Sequence, residues 1–456
     1  MTLIKRRIKM KRTIYMIIAV AAVLLSFDSC SLYRHYERPD MEWVDSLYRR
    51  LPVSEDTVSS ASVTWETFFT DSLLRNWIHL SMLHNTDINV ARLKVQEAEA
   101  SLQAARWALY PNASFSLQGG APGSFSTSVN SSWDSDILGS LRNASRRAEA
   151  AVMQSEAYKQ AVQTRLVATI ANSYYTLLML DEQLAISKHT LGTWEENIRT
   201  LEALKRAGKT NEAAVLQAKA NKLNVEASIL TLEKEILSVE NTFCSLLGTV
   251  PMSIVRGRLG DQKMPESLCA GVPAELLSRR PDVKQAEMVL AQNFYDRNIA
   301  EAAFYPSLTL SGSLGWTAGG VSVDGGRMIT NLIASLGQPI FARGKIIAGR
   351  KAAESRYTQA LYNFRQSLLD AGVEVNNAII LWNTAKHRVE LDKKQILTLK
   401  AAVWNTQLLM KHGNANYLEV LSAQKNLLQA ELTETADKFD EIQSVVNLYQ
   451  ALGGGY

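Results

Sequence analysis

The residues that would carry chemistry can be taken first, and they are few. Gly208-Lys209-Thr210 has the ending of a phosphate-binding loop, but Ala203 stands where that loop needs its first glycine. The flanking pattern is also helix–turn–helix, whereas a phosphate loop joins a strand to a helix. The histidines (His35, His79, His84, His189, His387 and His412) have no metal-ligand spacing, and no cluster of N, S or O ligands forms around them. No nucleophile elbow and no paired-carboxylate arrangement stands out. The chain reads as no enzyme, with no cofactor and no bound metal.

What remains is a set of turn residues. Gly208, Lys209, Thr210 and Asn211 follow one long helical pattern, and Gly413, Asn414 and Asn416 follow another, with Glu419 and Ser422 just beyond. Exposed glycine turns with small polar neighbours suit contact with another helical hairpin. They read equally as helix caps and tight reversals. Both readings can hold at once.

Such turns need long helices to carry them. Leu368, Val375, Trp382, Val389, Ile396, Val403 and Met410 stand seven residues apart, which keeps one apolar stripe of an under-wound helix facing a partner. Ala371, Ala378 and Ala385 follow three residues behind and imply close helix approach. Ile170, Leu177, Leu184, Leu191 and Ile198 repeat the register 205 residues earlier. Leu204–Gly208 falls on Leu409–Gly413 with the same offset, and Ala218 falls on Ala423. Ile137–Gly139 falls on Ile340–Ala342 at 203, and Asp87–Pro111 on Asp282–Pro306 at 195. Two repeats this long are a duplicated half-domain and not a solenoid.

Taken in order, residues 1–29 read as an export signal, basic to Arg12 and apolar from Ile14 to Phe27. Met10 is an alternative start. Ser26-Phe-Asp-Ser-Cys30 has the small residue before cysteine of a lipoprotein cleavage site, so Cys30 is the expected acylation (palmitate) point. Residues 30–64 are an irregular tether. The first repeat spans 65–250. A linker rich in proline and glycine covers 251–280, and the second repeat spans 281–456. Removing the signal takes the formal charge from +4 to about −1, which argues against a nucleic-acid surface. Of the remaining cysteines, Cys244 continues the series Leu216, Leu223, Leu230, Leu237 and reads as a packed core thiol. Cys269 lies in the linker, where a Cys244–Cys269 disulfide is the less favoured alternative.

Within each repeat, two alternating runs flank a glycine-rich loop: Ala113–Gln118 with Ser124–Trp133, and Ser307–Trp316 with Met328–Leu336. All ten prolines lie outside the long helical stretches. The fold class is mainly α with β: duplicated long coiled-coil hairpins plus four strands per chain. Four strands cannot close a membrane barrel, for which about eight is the minimum, and an open edge cannot face lipid. Embedded hairpins therefore demand oligomerisation.

Three stretches carry a family resemblance: Gly271-Val-Pro-Ala-Glu-Leu-Leu-Ser-Arg-Arg-Pro-Asp282, Phe304-Tyr-Pro-Ser-Leu-Thr-Leu310, and the turns Lys205–Gly208 and Lys411–Gly413 with Glu419-Val-Leu-Ser-Ala423. On these the chain resembles the TolC-like outer-membrane efflux factors, closest to the lipoprotein branch serving RND-type tripartite pumps. The resemblance implies a homotrimer in outer-membrane lipid, with a twelve-stranded β-barrel and a periplasmic α-helical tunnel. It also implies partners at the tunnel tip, a periplasmic adaptor and an inner-membrane RND-type transporter. Small molecules would leave through the duct passively.

At the tip, the resemblance implies a periplasmic gate at Glu419 with Asn416 and Ser422, where three like charges would form a ring. The first half has Ala214 at the place matching Glu419. Two other readings stay open: a type I secretion duct for proteins, and a periplasmic coiled-coil scaffold without a pore. Cys30→Ser is expected to abolish incorporation of labelled palmitate into the mature protein. Undiminished labelling of that variant would place the acyl chain elsewhere.

Overall fold

The structure is a computed structural model that describes residues 35–41, 44, 47, 64–120, 124–262, 279–318, 327–412 and 415–454. After a single turn at Trp65–Phe68 and a helix α1 (Ser72–His84), the elements come in two matching sets. The first is α2 (Thr86–Trp107), β1 (Asn112–Gly120), β2 (Ser124–Ser135), α3 (Ser140–Arg206) and α4 (Glu212–Leu247). The second is α5 (Pro281–Ala302), β3 (Ser307–Ala318), β4 (Arg327–Gly337), α6 (Lys345–Lys411) and α7 (Tyr417–Ala451). Helices α2 and α5 have 22 residues each, and α3 and α6 have 67 each. A helix of that length is about 100 Å long.

Local sequence sets these limits. Asn85 caps α2 by accepting from the backbone N–H groups of Asp87 and Ile88, and its amide donates to the Leu246 carbonyl. Proline opens α5, where its missing N–H costs nothing, and Asp282 faces the positive end of the helix dipole. Gly248 and Gly453, separated by the same 205 residues, both take positive φ at the ends of α4 and α7.

The elements form two compact units that are not the sequence halves, since each draws on both repeats. One comprises 1–40, 94–155 and 285–364. Its antiparallel sheet has the order β1-β2-β3-β4, with Phe115 opposite Val129, Val129 opposite Leu314, and Trp316 opposite Met328. In this unit Arg38 clamps the buried Glu287 of α5 through two 2.8 Å bonds, and Tyr36 packs edge-on against Phe294. The segment read as an irregular tether thus packs on α5 at Tyr36 and Arg38.

The other unit comprises 41–93, 156–284 and 365–456. Ile170, Leu177, Ile198, Leu368, Val375, Val389 and Ile396 are buried there, as their heptad spacing predicts, and Ala371, Ala378 and Ala385 are buried beside them. The paired helices α3 and α4 are also laced by Lys–Glu pairs: Lys205–Glu212, Lys219–Glu202, Lys222–Glu195 and Lys188–Glu233. These pairs are half exposed, so they fix register more than they add stability. The second pair, α6 and α7, has Lys400–Glu431 and Arg388–Asp437.

One sequence expectation needs correcting. Cys244 is a buried free thiol, its Sγ 3.4 Å from the Met252 backbone nitrogen, but the leucines thought to share its core do not. Leu216, Leu223, Leu230 and Leu237 are 56–68% exposed. The stripe of α4 that is buried runs through Val215, Ala218, Val225, Ile229, Ile236 and Phe243. Cys244 is covered because the chain after α4 folds back over it. Cys269 lies outside the described residues.

The two stripes predict different mutational costs. Leu177→Ala removes fully buried methyls and is expected to cost about 2–5 kcal/mol. Leu230→Ala is expected to change the stability of a single chain by no more than about 0.5 kcal/mol. Circular-dichroism melting of both variants checks the contrast.

Candidate functional site: the hairpin turns and the two-faced sheet

At the first turn, α3 ends on Gly208 with φ +70°, a left-handed conformation that glycine adopts without strain. The Lys209 N–H donates to the Leu204 carbonyl at 2.9 Å, closing the helix end. Asn211 then caps α4 by accepting from the Ala214 N–H at 3.0 Å, and Lys205 pairs with Glu212 across the reversal. Gly208, Lys209 and Asn211 are exposed, and Thr210 is half-buried.

The second turn follows the same plan. Asn416 caps α7 by accepting from the Leu418 N–H at 3.3 Å. Glu419 lies in the first turn of α7, where the helix dipole favours a negative charge. Glu419 and Ser422 are exposed and three residues apart, so they share one side of the helix. The other side, Tyr417, Leu421 and Gln424, is buried. Gly413, Asn414 and Cys30 lie outside the described residues.

Both turns rest on one apolar floor. Leu201, Ala214, Val215 and Ala218 from α3 and α4 form a single cluster with Tyr417 and Leu421 from α7. Asn197 of α3 adds a 2.8 Å hydrogen bond to the Gln424 side chain. Burial pushes the Tyr417 hydroxyl up, well away from ionisation. Sequence reading missed Tyr417, although it sits one residue after the cap in a position that must point inward.

The sheet has two chemically distinct faces. Residues that pair directly share a face, and alternate residues oppose it. Phe115, Leu117, Phe125, Val129, Leu314, Trp316, Met328, Leu332 and Leu336 fall on one face, and all of them are exposed. The opposite face carries Ser114, Ser116, Gln118, Ser128, Asn130, Ser311, Ser313, Asn331 and Ser335, with Ile329 and Ile333 as apolar exceptions. Ser116, Ser128 and Asn130 hydrogen-bond to one another there. Strands β1 and β4 are edges, without a second neighbour among the described residues.

Of the marker stretch, residues 279–282 are described, and Arg280 acts there as a structural tie. Arg280 is 6% exposed and donates to the Ala451 carbonyl at 2.7 Å, to Asp282, and to Glu374 of α6. Burial pulls its guanidinium pKa down, and the two carboxylates more than restore it. The chain end is held close as well: a β-carbon on Gly453 would lie 2.8 Å from the Arg279 carbonyl oxygen.

The profile of the family described as Outer membrane efflux protein matches residues 77–249 and 272–454. The chain belongs to this family. It is thus an outer-membrane efflux channel protein. The chain is 28% identical to the cation efflux system protein CusC of Escherichia coli K12, over 95% of this chain and 98% of that one. It is 27% identical to the probable outer membrane lipoprotein SilC of Salmonella typhimurium, over 96% and 98%. The solved open state of the Neisseria gonorrhoeae MtrE outer membrane channel superposes with a TM-score of 0.82 at 25% identity, covering 93% of this chain and 98% of MtrE.

Arg280→Ala is expected to lower stability by about 1–3 kcal/mol, the scale of a lost hydrogen bond to a charged group. Asp282 and Glu374 are half exposed, so solvent shares the loss. Thermal melting of the variant against Arg280→Lys separates the hydrogen-bond fork from the charge.

Proposed function

We propose that the chain is the exit duct of a tripartite efflux system, passing small molecules outward when a periplasmic adaptor and an inner-membrane pump engage its helical hairpins. The observation that carries this reading is the sheet, with one apolar exposed face, one hydroxyl-rich face and two open edges. Backbone groups on an open edge cannot be left in hydrocarbon. Three copies joined β4 to β1 would close twelve strands around the polar face and leave no edge. The exposed leucines of α4 support the same assembly, because a seven-spaced apolar stripe is the surface one helix offers another. A coiled-coil scaffold without a pore leaves the two-faced sheet without a purpose. No observation favours a protein cargo over small molecules.

In this reading Cys30 carries the acyl anchor. Gly208, Lys209, Thr210 and Asn211, with Gly413 and Asn414, meet the adaptor. Glu419, flanked by Asn416 and Ser422, forms the ring at the periplasmic gate. The capping bonds of Asn211 and Asn416 fit this division, since they hold the turns in one shape while leaving the neighbouring side chains exposed. RND-type partners are the expectation from the family resemblance.

Two measurements test the proposal. The mature protein in detergent should have the mass of a trimer by native mass spectrometry. Leu223→Asp with Leu230→Asp should leave folded monomers of unchanged helix content. A wild-type monomer, or a trimer that tolerates both aspartates, would overturn the assembly. In planar bilayers Glu419→Gln should reduce cation preference, and unchanged selectivity would remove Glu419 from the gate.

A further inference from the structure

The small residues that line the seam of α6 at 371, 378 and 385 are followed, seven residues later, by Asp392. Alanine there lets helices approach closely; an aspartate brings a charge into the same contact. Asp392 is 8% exposed, and Asp437 on the facing helix α7 is 1% exposed. Arg388 of α6, one helical turn before Asp392, forms an ion pair with Asp437 at 2.5 Å, which sets the Asp437 carboxyl beside that of Asp392. The Oδ2 atoms of both aspartates are buried and have no donor. Two ionised carboxylates cannot share such a contact at low cost, and a single guanidinium, itself half exposed, does not neutralise the pair.

We infer that Asp437 holds a proton against the Asp392 carboxyl, which makes the α6–α7 hairpin a proton-responsive clasp. That proton supplies the missing donor and joins the two helices; its loss leaves like charges face to face in the seam. The charged groups acting on Asp437 are Arg388 and Asp392 from α6 and Asp440 from α7 itself. Lys438 is occupied by Glu434. From α3, Glu182 and His189 line a separate cavity of about 600 Å3 beside Glu434 and Lys438. Burial first, and then the Asp392 carboxyl, push the Asp437 carboxyl up to about 6, with Arg388 opposing.

The duplication supplies an internal control. The 205-residue offset that relates Asn211 to Asn416 and Gly248 to Gly453 places Gln183, Ser187 and Leu232 opposite Arg388, Asp392 and Asp437. Those three neutral residues border a cavity of about 230 Å3. The first hairpin therefore has the same construction without a titrating pair. The inference is independent of the duct reading, because it concerns contacts within one chain.

The sign follows from linkage. A carboxyl whose folded pKa is raised binds its proton more tightly in the folded state, so its stabilising effect is lost as pH rises from the unfolded value, about 3.9, through the folded one. Hydrogen–deuterium exchange on the detergent-purified protein, corrected for the intrinsic rate, tests this. Between about pH 5 and pH 7.5, opening over 385–396 and 430–442 should accelerate by roughly tenfold, the scale of one pKa unit. Opening over 180–191 and 225–237 should not change. Asp437→Asn, whose amide donates where the proton would, should abolish the acceleration; Asp392→Asn serves if that variant fails to fold. Infrared difference spectra should show a protonated carboxyl at the lower pH that either substitution removes. Equal pH response in the two hairpins, or a response that survives both asparagines, would overturn the inference.

Discussion

The backbone groups on the outer sides of β1 and β4 set the terms for the rest of the molecule. Hydrocarbon offers them no hydrogen bond, and four strands are too few to curl until their edges meet. The alternation of Phe115, Val129 and Leu314 against Ser116, Ser128 and Ser313 nevertheless gives the sheet an apolar side and a polar side. In the duct reading, a chain with such a sheet is incomplete by itself. The exposed leucines of α4 add a second apolar surface in the helical part, and in the same reading another copy covers both.

Within one chain the seam of α3 and α6 meets the corresponding need. Sixty-seven residues of helix are not stable in water on propensity alone, and most of their stability must come from packing. Leu177 and Val375 are buried because their spacing keeps them on the line of contact. The turns then need only end the helices cleanly. Asn211 and Asn416 do so with one side-chain oxygen each, and Tyr417 ties the second turn to the helices of the first.

Much of this was legible in the sequence, because duplication shows as a constant offset and a heptad shows as a count. The strand pairs were legible too, through alternation around glycine-rich loops. The leucine stripe of α4 was misread, since spacing shows that a face is apolar and not what covers it. The marker stretch was recognisable, but the role of its Arg280 was hidden: Arg280 acts on Glu374 and the Ala451 carbonyl, distant in sequence and joined only by the fold. The buried aspartates escaped for a similar reason. Asp392 is one more polar residue in a helix until Asp437 is placed opposite it. The two halves thus share a backbone plan and differ in what they bury.

The hydroxyl-rich side of the sheet has a consequence for a hydrated solute. Serine, threonine and asparagine offer donors and acceptors in equal measure, and among the described side chains of that side the only charge is Asp134, near one end of its strand. In the duct reading, hydroxyls and amides there would exchange hydrogen bonds with a hydrated solute without requiring it to shed its water.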